Sequence, residues 1–310
     1  MKVLISSRSF GKINSGAIEL LKKEGLEPII NPYGKKLNEE EILNLLNDSV
    51  GIIAGTEKIT EKIISYNNQL KVISRYGIGL DNVDLKSAKQ KNVLVFNTPE
   101  TPKIAVAELA ISLILSLLKK IGNVDKNVKQ NQWKPEMGNL LSSKTIGVIG
   151  LGRIGKQLVK FLEPFNLKIL AFETKPDNKF VSDYKIELVL LDVLLSKSDV
   201  ITLHIPINDQ TKHIISKKEL LKMKNTAIII NTARGGLIDE EALYPVLKDK
   251  KIAGAALDVF EDEPNTGKLK KLDNIILTPH IGTYTVETRK HMEIEAAENL
   301  IKGLKEANVL

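Results

Sequence analysis

The chain has 310 residues, enough for two domains with sizeable cores at roughly 150 residues per domain. It contains no cysteine, which excludes disulfides, thiolate metal sites and cysteine nucleophiles. Forty-five basic residues against 38 acidic ones give a net charge of +7. Only five of the basic residues are arginine (Arg8, Arg75, Arg153, Arg234 and Arg289). No basic helix or nucleic-acid module is visible, so no nucleic-acid partner is expected.

In chain order, residues 2–6 read as a strand and 15–24 as a helix closed by Gly25. Strand 28–30, helix 38–46, strand 51–54, helix 60–66, strand 71–74, helix 85–90 and strand 93–96 follow. This alternation is that of βαβ units on a parallel sheet. Residues 104–120 form a helix so rich in Ala, Ile and Leu that burial on most sides is expected, between two layers or two domains. Residues 123–139 are polar, contain Trp133 and Pro135, and read as a connection. A second βα series then begins, with strands at 145–149, 168–172, 200–203, 227–231, 252–257 and 275–277. Ser216 and Glu219 are spaced as a capping box, and 286–305 reads as a closing helix. The fold expected is α/β, with two Rossmann-like domains on parallel sheets. The apolar run at 1–6 is too short for a signal peptide. The longest apolar stretch, 104–118, carries Glu108 and falls short of the ~20 residues of a bilayer span, so a cytoplasmic protein without membrane contact is expected.

The second series opens on G-x-G-x-x-G at Gly150, Gly152 and Gly155. An apolar strand precedes it, the helix pattern Ile154, Leu158, Val159, Leu162 follows, and Glu173 closes the next strand 18 residues after the third glycine. These are the parts of a dinucleotide site: glycines that admit the pyrophosphate, a helix N-terminus that favours its charge, and a carboxylate for the ribose hydroxyls. A carboxylate at Glu173 favours NAD over NADP, and Lys175 could soften the preference. Further on, Arg234 lies between a strand end and a Gly-Gly turn, Glu263 follows the strand 252–257, and His280 follows the strand 275–277, so three strand ends offer these residues to one rim. No metal-ligand cluster is seen.

From here the sequence resembles the D-isomer-specific 2-hydroxyacid dehydrogenases along nearly its whole length, and within them the phosphoglycerate dehydrogenase type. The blocks that carry the resemblance are Arg75-Tyr76-Gly77-Ile78-Gly79-Leu80-Asp81-Asn82-Val83-Asp84, Ala105-Val106-Ala107-Glu108, the glycine loop, His204-Ile205-Pro206, Asn231-Thr232-Ala233-Arg234-Gly235, Asp258-Val259-Phe260 with Glu263-Pro264, and Pro279-His280-Ile281-Gly282. The resemblance implies an NAD-dependent oxidoreductase that moves a hydride between nicotinamide and a D-2-hydroxy acid, foremost D-3-phosphoglycerate. The alternatives are a reductase of glyoxylate, hydroxypyruvate or another 2-keto acid, and a non-enzymatic NAD-sensing corepressor. Arg234 would grip the substrate carboxylate and polarise the carbonyl, His280 would act as acid and base, and Glu263 would orient it.

Arg75, Gly77, Ile78 and Gly79 are implied as substrate contacts, their loop serving as an anion nest. Arg153, Ile154, His204, Pro206, Thr211, Thr232, Ala233, Asp258 and Gly282 are implied as cofactor contacts beside the glycines and Glu173. His213 and His291 read as structural, and Glu261 and Asp262 as solvated. A homodimer is implied, as are a substrate domain of residues 1–99 and 286–310, an inserted cofactor domain of residues 100–285, and hinges near 100 and 285. Two departures stand out. Tyr284 stands where many relatives carry a smaller residue. Ala54-Gly55-Thr56-Glu57-Lys58 lacks the arginines that phosphate-specific relatives place there, leaving Lys35, Lys36 or Lys58 as substitutes. The chain ends soon after the closing helix, without room for the serine-sensing domain of some relatives, so serine inhibition is not expected.

Overall fold

A computed structural model describes residues 1–310. The chain divides into two compact units, Met1–Pro102 with Thr283–Leu310, and Lys103–Gly282. The first unit begins with β1 (Lys2–Ile5), α1 (Gly16–Lys23), β2 (Glu27–Ile30), α2 (Glu39–Leu46), β3 (Gly51–Ala54), α3 (Glu61–Tyr66), β4 (Val72–Arg75), α4 (Leu85–Gln90) and β5 (Leu94–Asn97). Its strands pair in parallel in the order β2-β1-β3-β4-β5. Alternate side chains face opposite layers, as the two-residue period of a strand requires. Val3, Ile5, Ile53 and Val72 pack on one side with Leu21 of α1, while Leu4, Ile52, Ala54 and Ile73 pack on the other with Ile42 and Ile63.

The second unit contains α5 (Pro102–Lys119), α6 (Ile121–Lys129), β6 (Thr145–Ile149), α7 (Arg153–Leu162), β7 (Lys168–Phe172), α8 (Asn178–Asp183), β8 (Glu187–Leu188), α9 (Leu191–Lys197), β9 (Val200–Leu203), α10 (Lys217–Leu220), β10 (Ile228–Asn231), α11 (Glu240–Lys248), β11 (Gly254–Leu257) and β12 (Ile275–Leu277). Its seven parallel strands run β12-β11-β10-β9-β6-β7-β8, with helices on both faces. The order reverses beside β6, and such a switch point leaves a crevice at the carboxyl ends of the strands. The chain then returns to the first unit as α12 (Val286–Glu306), whose Met292, Ala296, Leu300 and Leu304 join the layer of α1. The α/β architecture with an inserted unit is the one expected.

Two local readings change. Residues 123–139 are not wholly a connection, because α6 covers their first part. Ile121, Val124 and Val128 line one side of it, yet it buries no residue, and it is set off from α5 by Lys120 at φ 56°. Helix α5 is buried on most sides, as expected: Ala107, Ala110, Leu113, Ile114 and Leu118 enter the core of the second unit, Leu109, Ile111, Leu115 and Leu117 pack against it, and only Ile104, Glu108, Ser112 and Lys119 are exposed. The short elements α8, β8 and α9 occupy a stretch where no element was assigned, and α11 follows β10 behind an Asp239 cap.

Candidate active site

At the carboxyl edge of the second unit, the loop from β6 turns into α7 with Gly152 at the helix N-cap. A Cβ on Gly155 would overlap the carbonyl of Gly150, whereas one on Gly152 would meet nothing, so the helix start lies beside open space. Glu173, at the end of β7, accepts the Leu151 N–H at 2.8 Å and the Lys175 N–H at 2.9 Å. Burial alone would raise its pKa, but these N–H donors outweigh it and hold the carboxyl below its ordinary value. His204, after β9, shares a 2.9 Å hydrogen bond between Nε2 and the Thr202 hydroxyl, while its buried Nδ1 has no partner. Burial pushes its pKa down to about 4, so the imidazole is neutral. The Thr232 hydroxyl beyond β10 is also buried and unpartnered. Pro206 and Thr211 share one turn, in which the Thr211 hydroxyl donates to the Pro206 carbonyl at 2.8 Å.

The adjacent strands β10, β11 and β12 end in the rim residues. Asn231 shapes the first loop: its Oδ1 accepts the Ala233 N–H at 3.0 Å and its Nδ2 donates to the Arg234 carbonyl at 2.8 Å. Arg234 Nη1 donates to the Ala233 carbonyl at 2.7 Å. Gly235 lies so close to the Phe260 carbonyl that any Cβ would overlap it, which locks this loop onto the one after β11. Glu263 lies with both carboxylate oxygens 3.0 Å from His280 Nδ1. A carboxylate only accepts, so Nδ1 carries the proton and Nε2 is left for chemistry.

His280 itself sits at φ 55°, a region that a non-glycine residue enters only when its surroundings hold it. Asp258 does the holding. This fully buried carboxylate accepts the Thr278 hydroxyl at 2.6 Å and the N–H groups of Ile281 at 2.7 Å and Gly282 at 2.8 Å. Burial raises the Asp258 pKa more than these donors and the nearby His280 lower it. Asp258 and Gly282, both expected as cofactor contacts, are also joined by one of these hydrogen bonds. The signal available was an aspartate at the end of the strand next to the one that carries His280. Glu261, expected to be merely solvated, pairs with His213 at 3.0 Å.

In the first unit, the loop after β4 is tied internally. The buried Arg75 reaches Asn82 Oδ1 at 3.2 Å and the Tyr76 carbonyl. The Gly77 N–H, at φ 145°, is already donated to the Thr98 hydroxyl at 2.9 Å, while the N–H groups of Ile78 and Gly79 make no hydrogen bond within the chain. The anion nest expected here is thus narrowed to those two donors. Sequence reasoning missed Glu57. It is 2% exposed, accepts the Gly55 N–H at 2.6 Å and the Ser6 hydroxyl, and so braces the ends of β1 and β3. Of the lysines considered for phosphate, Lys35 is ion-paired with Glu41 at 2.7 Å, whereas Lys36 and Lys58 are exposed.

The family model of the D-isomer-specific 2-hydroxyacid dehydrogenase NAD-binding domain matches residues 111–282. The chain is 40% identical over 293 residues to a hydroxypyruvate reductase of Thermotoga maritima, covering 92% of this chain and 93% of that one. It is 38% identical over 310 residues to a D-3-phosphoglycerate dehydrogenase of Methanocaldococcus jannaschii, covering 98% of this chain but only 58% of the relative. A D-lactate dehydrogenase from Aquifex aeolicus, solved with NAD and lactic acid, superposes with TM-score 0.86 at 28% identity over 100% of this chain and 96% of that one.

The chain belongs to the D-isomer-specific 2-hydroxyacid dehydrogenase family.

Its second unit is therefore an NAD-binding domain, and the residues present fit the cofactor. The open space at Gly152 suits a pyrophosphate, and the orphaned Thr232 hydroxyl and His204 Nδ1 are polar atoms without a partner in the chain. In a dehydrogenase of this family, the rim of Arg234, Glu263 and His280 joins a fixed cation to an imidazole whose tautomer is set, the pair of functions that carbonyl reduction demands.

Proposed function

We propose that this dehydrogenase interconverts a D-2-hydroxy acid and its 2-keto acid with NAD, and that the preferred pair is D-3-phosphoglycerate and 3-phosphohydroxypyruvate. The observation that carries the catalytic reading is the Glu263–His280 pair, held by Asp258 on the strand end beside Arg234. NAD, when bound, supplies or accepts the hydride at substrate C2. Arg234 binds the substrate carboxylate and draws electron density from the carbonyl. His280 Nε2 gives a proton to the carbonyl oxygen in reduction and removes it from the hydroxyl in oxidation. Glu263, on the far ring nitrogen, steadies the imidazolium that oxidation leaves. Glu173 holds the adenosine ribose. His204, Pro206, Thr211, Thr232 and Ala233 line the cofactor, with Gly150, Gly152, Arg153, Ile154 and Gly155 at its phosphates. The first unit binds substrate, and the N–H groups of Ile78 and Gly79 take part of the carboxylate's charge.

A second reading, reduction of hydroxypyruvate or glyoxylate, is favoured by the near full-length match to a hydroxypyruvate reductase and by the lack of arginine after β3. A panel of 3-phosphohydroxypyruvate, hydroxypyruvate and glyoxylate with NADH separates the two. The expected result is a kcat/KM at least about tenfold higher for the phosphorylated acid, with turnover on the order of 1–10³ per second. The reverse ranking selects the second reading, and no turnover on any of the three overturns the enzyme assignment. A homodimer is proposed alongside. Trp133 and Met137, each 88% exposed, supply apolar surface for it, and light scattering at the monomer mass would refute it.

A further inference from the structure

Three of the five arginines fall in the motifs described above. The other two, Arg8 and Arg289, come from opposite ends of the chain and meet in the first unit. Arg8 and Ser9 follow β1, Tyr76 follows β4, and Tyr284 and Arg289 belong to the start of α12. The Arg289 guanidinium is 7% exposed and lies 4.5 Å from the ring centres of both Tyr76 and Tyr284, between two aromatic faces. One of its nitrogens donates to the Ser9 hydroxyl. Arg8 is exposed, is in no ion pair and adjoins Ser9 in the chain; Arg8 and Arg289 together hold the Tyr284 pKa below its ordinary value against burial. Glu293 lies beside Tyr76 and Arg289. It takes a 3.4 Å hydrogen bond from the Tyr76 hydroxyl, and its second oxygen is buried without a partner. Burial raises the Glu293 pKa against the pull of the Gly11 N–H, Arg289 and Tyr76, which weakens its power to neutralise Arg289.

Stacked guanidinium planes and clustered hydroxyls are costly to assemble, and a lysine-rich chain has a cheaper way to place mere charge. Two forked cations with two hydroxyls match a group that has several acceptor oxygens and a double negative charge. Tyr76 belongs to the same loop as Ile78 and Gly79, so the cluster adjoins the donors assigned to the substrate carboxylate, at the same sheet edge.

We propose that Arg8 and Arg289, with the hydroxyls of Ser9 and Tyr284, bind the C3 phosphate of the 2-keto acid. This rests on the dehydrogenase reading above and supplies the anion contact that the loop after β3 lacks. Tyr284 is then the ring that, with Tyr76, holds the Arg289 guanidinium in place.

The test is kcat/KM for 3-phosphohydroxypyruvate relative to glyoxylate, measured for the NAD-dependent enzyme and its Arg8→Gln, Arg8→Lys and Lys58→Gln variants. Arg8 is on the surface, so its variants fold. Arg8→Gln is expected to lower the ratio about 10- to 100-fold, the scale of a lost charge-assisted hydrogen bond, with Arg8→Lys intermediate and Lys58→Gln unchanged. An unchanged ratio in Arg8→Gln, or its loss in Lys58→Gln, overturns the proposal. Calorimetric titration of the NAD-loaded protein with inorganic phosphate keeps the two proposals separable. If no keto acid is turned over, the dehydrogenase reading fails, whereas the anion site stands only if wild type binds phosphate and Arg8→Gln does not.

Discussion

The carboxyl edges of the two parallel sheets are built from the same kind of strand ends but organise charge in opposite ways. In the NAD-binding unit, each group sits in a short block of contiguous residues. Asn231 folds the loop that carries Arg234, and Asp258 pins the loop that carries His280. In the first unit, Arg8 and Arg289 come from the two ends of the chain, and Arg289 is held by stacking on two rings rather than by a loop of its own. Sites of the first kind fix an angle for a reacting atom, whereas the second kind tolerates variation in what it grips. The contrast suggests that reaction type resides in one unit and substrate choice in the other.

The largest test of that division falls on the rim. His280→Ala is expected to lower kcat by about 10²- to 10⁴-fold on every keto acid alike, the range of a lost general acid. Arg234→Lys is expected to cost about 10²-fold in kcat/KM, since lysine keeps the charge but not the planar fork. Steady-state rates on two substrates check both. A near-normal rate for His280→Ala removes it from proton transfer, and a loss confined to one substrate breaks the division between the units.

A pH measurement sharpens the same contrast through stability. The His204 pKa is depressed to about 4 in the folded chain, so between pH 6.5 and about 4 the unfolded chain binds the extra proton. Keeping the imidazole neutral thus costs nothing above pH 6.5, and stability is lost as pH falls through this window, by at most about 3 kcal/mol. Urea unfolding at pH 7 and pH 4.5 is expected to show a smaller pH loss for His204→Gln than for wild type. Equal losses would place the acid sensitivity in the carboxylates instead.

How much of this was legible follows from where each signal lies along the chain. The alternating βα text indicates both sheets, and blocks of a few residues mark Gly150, Arg234 and His280 because backbone turn, helix start and side chain are all encoded within one loop. The bracing part that Asp258 plays is not legible, because its hydrogen-bond partners lie 20 to 24 residues further on, across the neighbouring strand. Arg289 gives no local signal because its side chain's hydrogen-bond partner, Ser9, is 280 residues away. Glu57 reads as a surface charge until its burial is seen, and α6 reads as part of a connection because Ile121, Val124 and Val128, though helically spaced, are followed by a polar stretch with Trp133 and Pro135.

The smallest expected effect concerns Glu173, where the two kinds of organisation meet in one residue. Its carboxylate braces the glycine loop through the Leu151 N–H, and in the function proposed above it also takes the ribose hydroxyls. If the charge selects the cofactor, Glu173→Gln, which keeps an acceptor for Leu151, should raise the NADPH to NADH ratio of kcat/KM by about tenfold, or about 1.4 kcal/mol, with Lys175 two residues on ready to meet a 2′-phosphate. If Glu173 serves only as a brace, Glu173→Gln should leave the ratio flat, and Glu173→Ala should lower the melting temperature without altering cofactor preference. Measuring both variants with both cofactors therefore separates selection from support, because neutralising the charge and removing the acceptor are different operations on the same side chain.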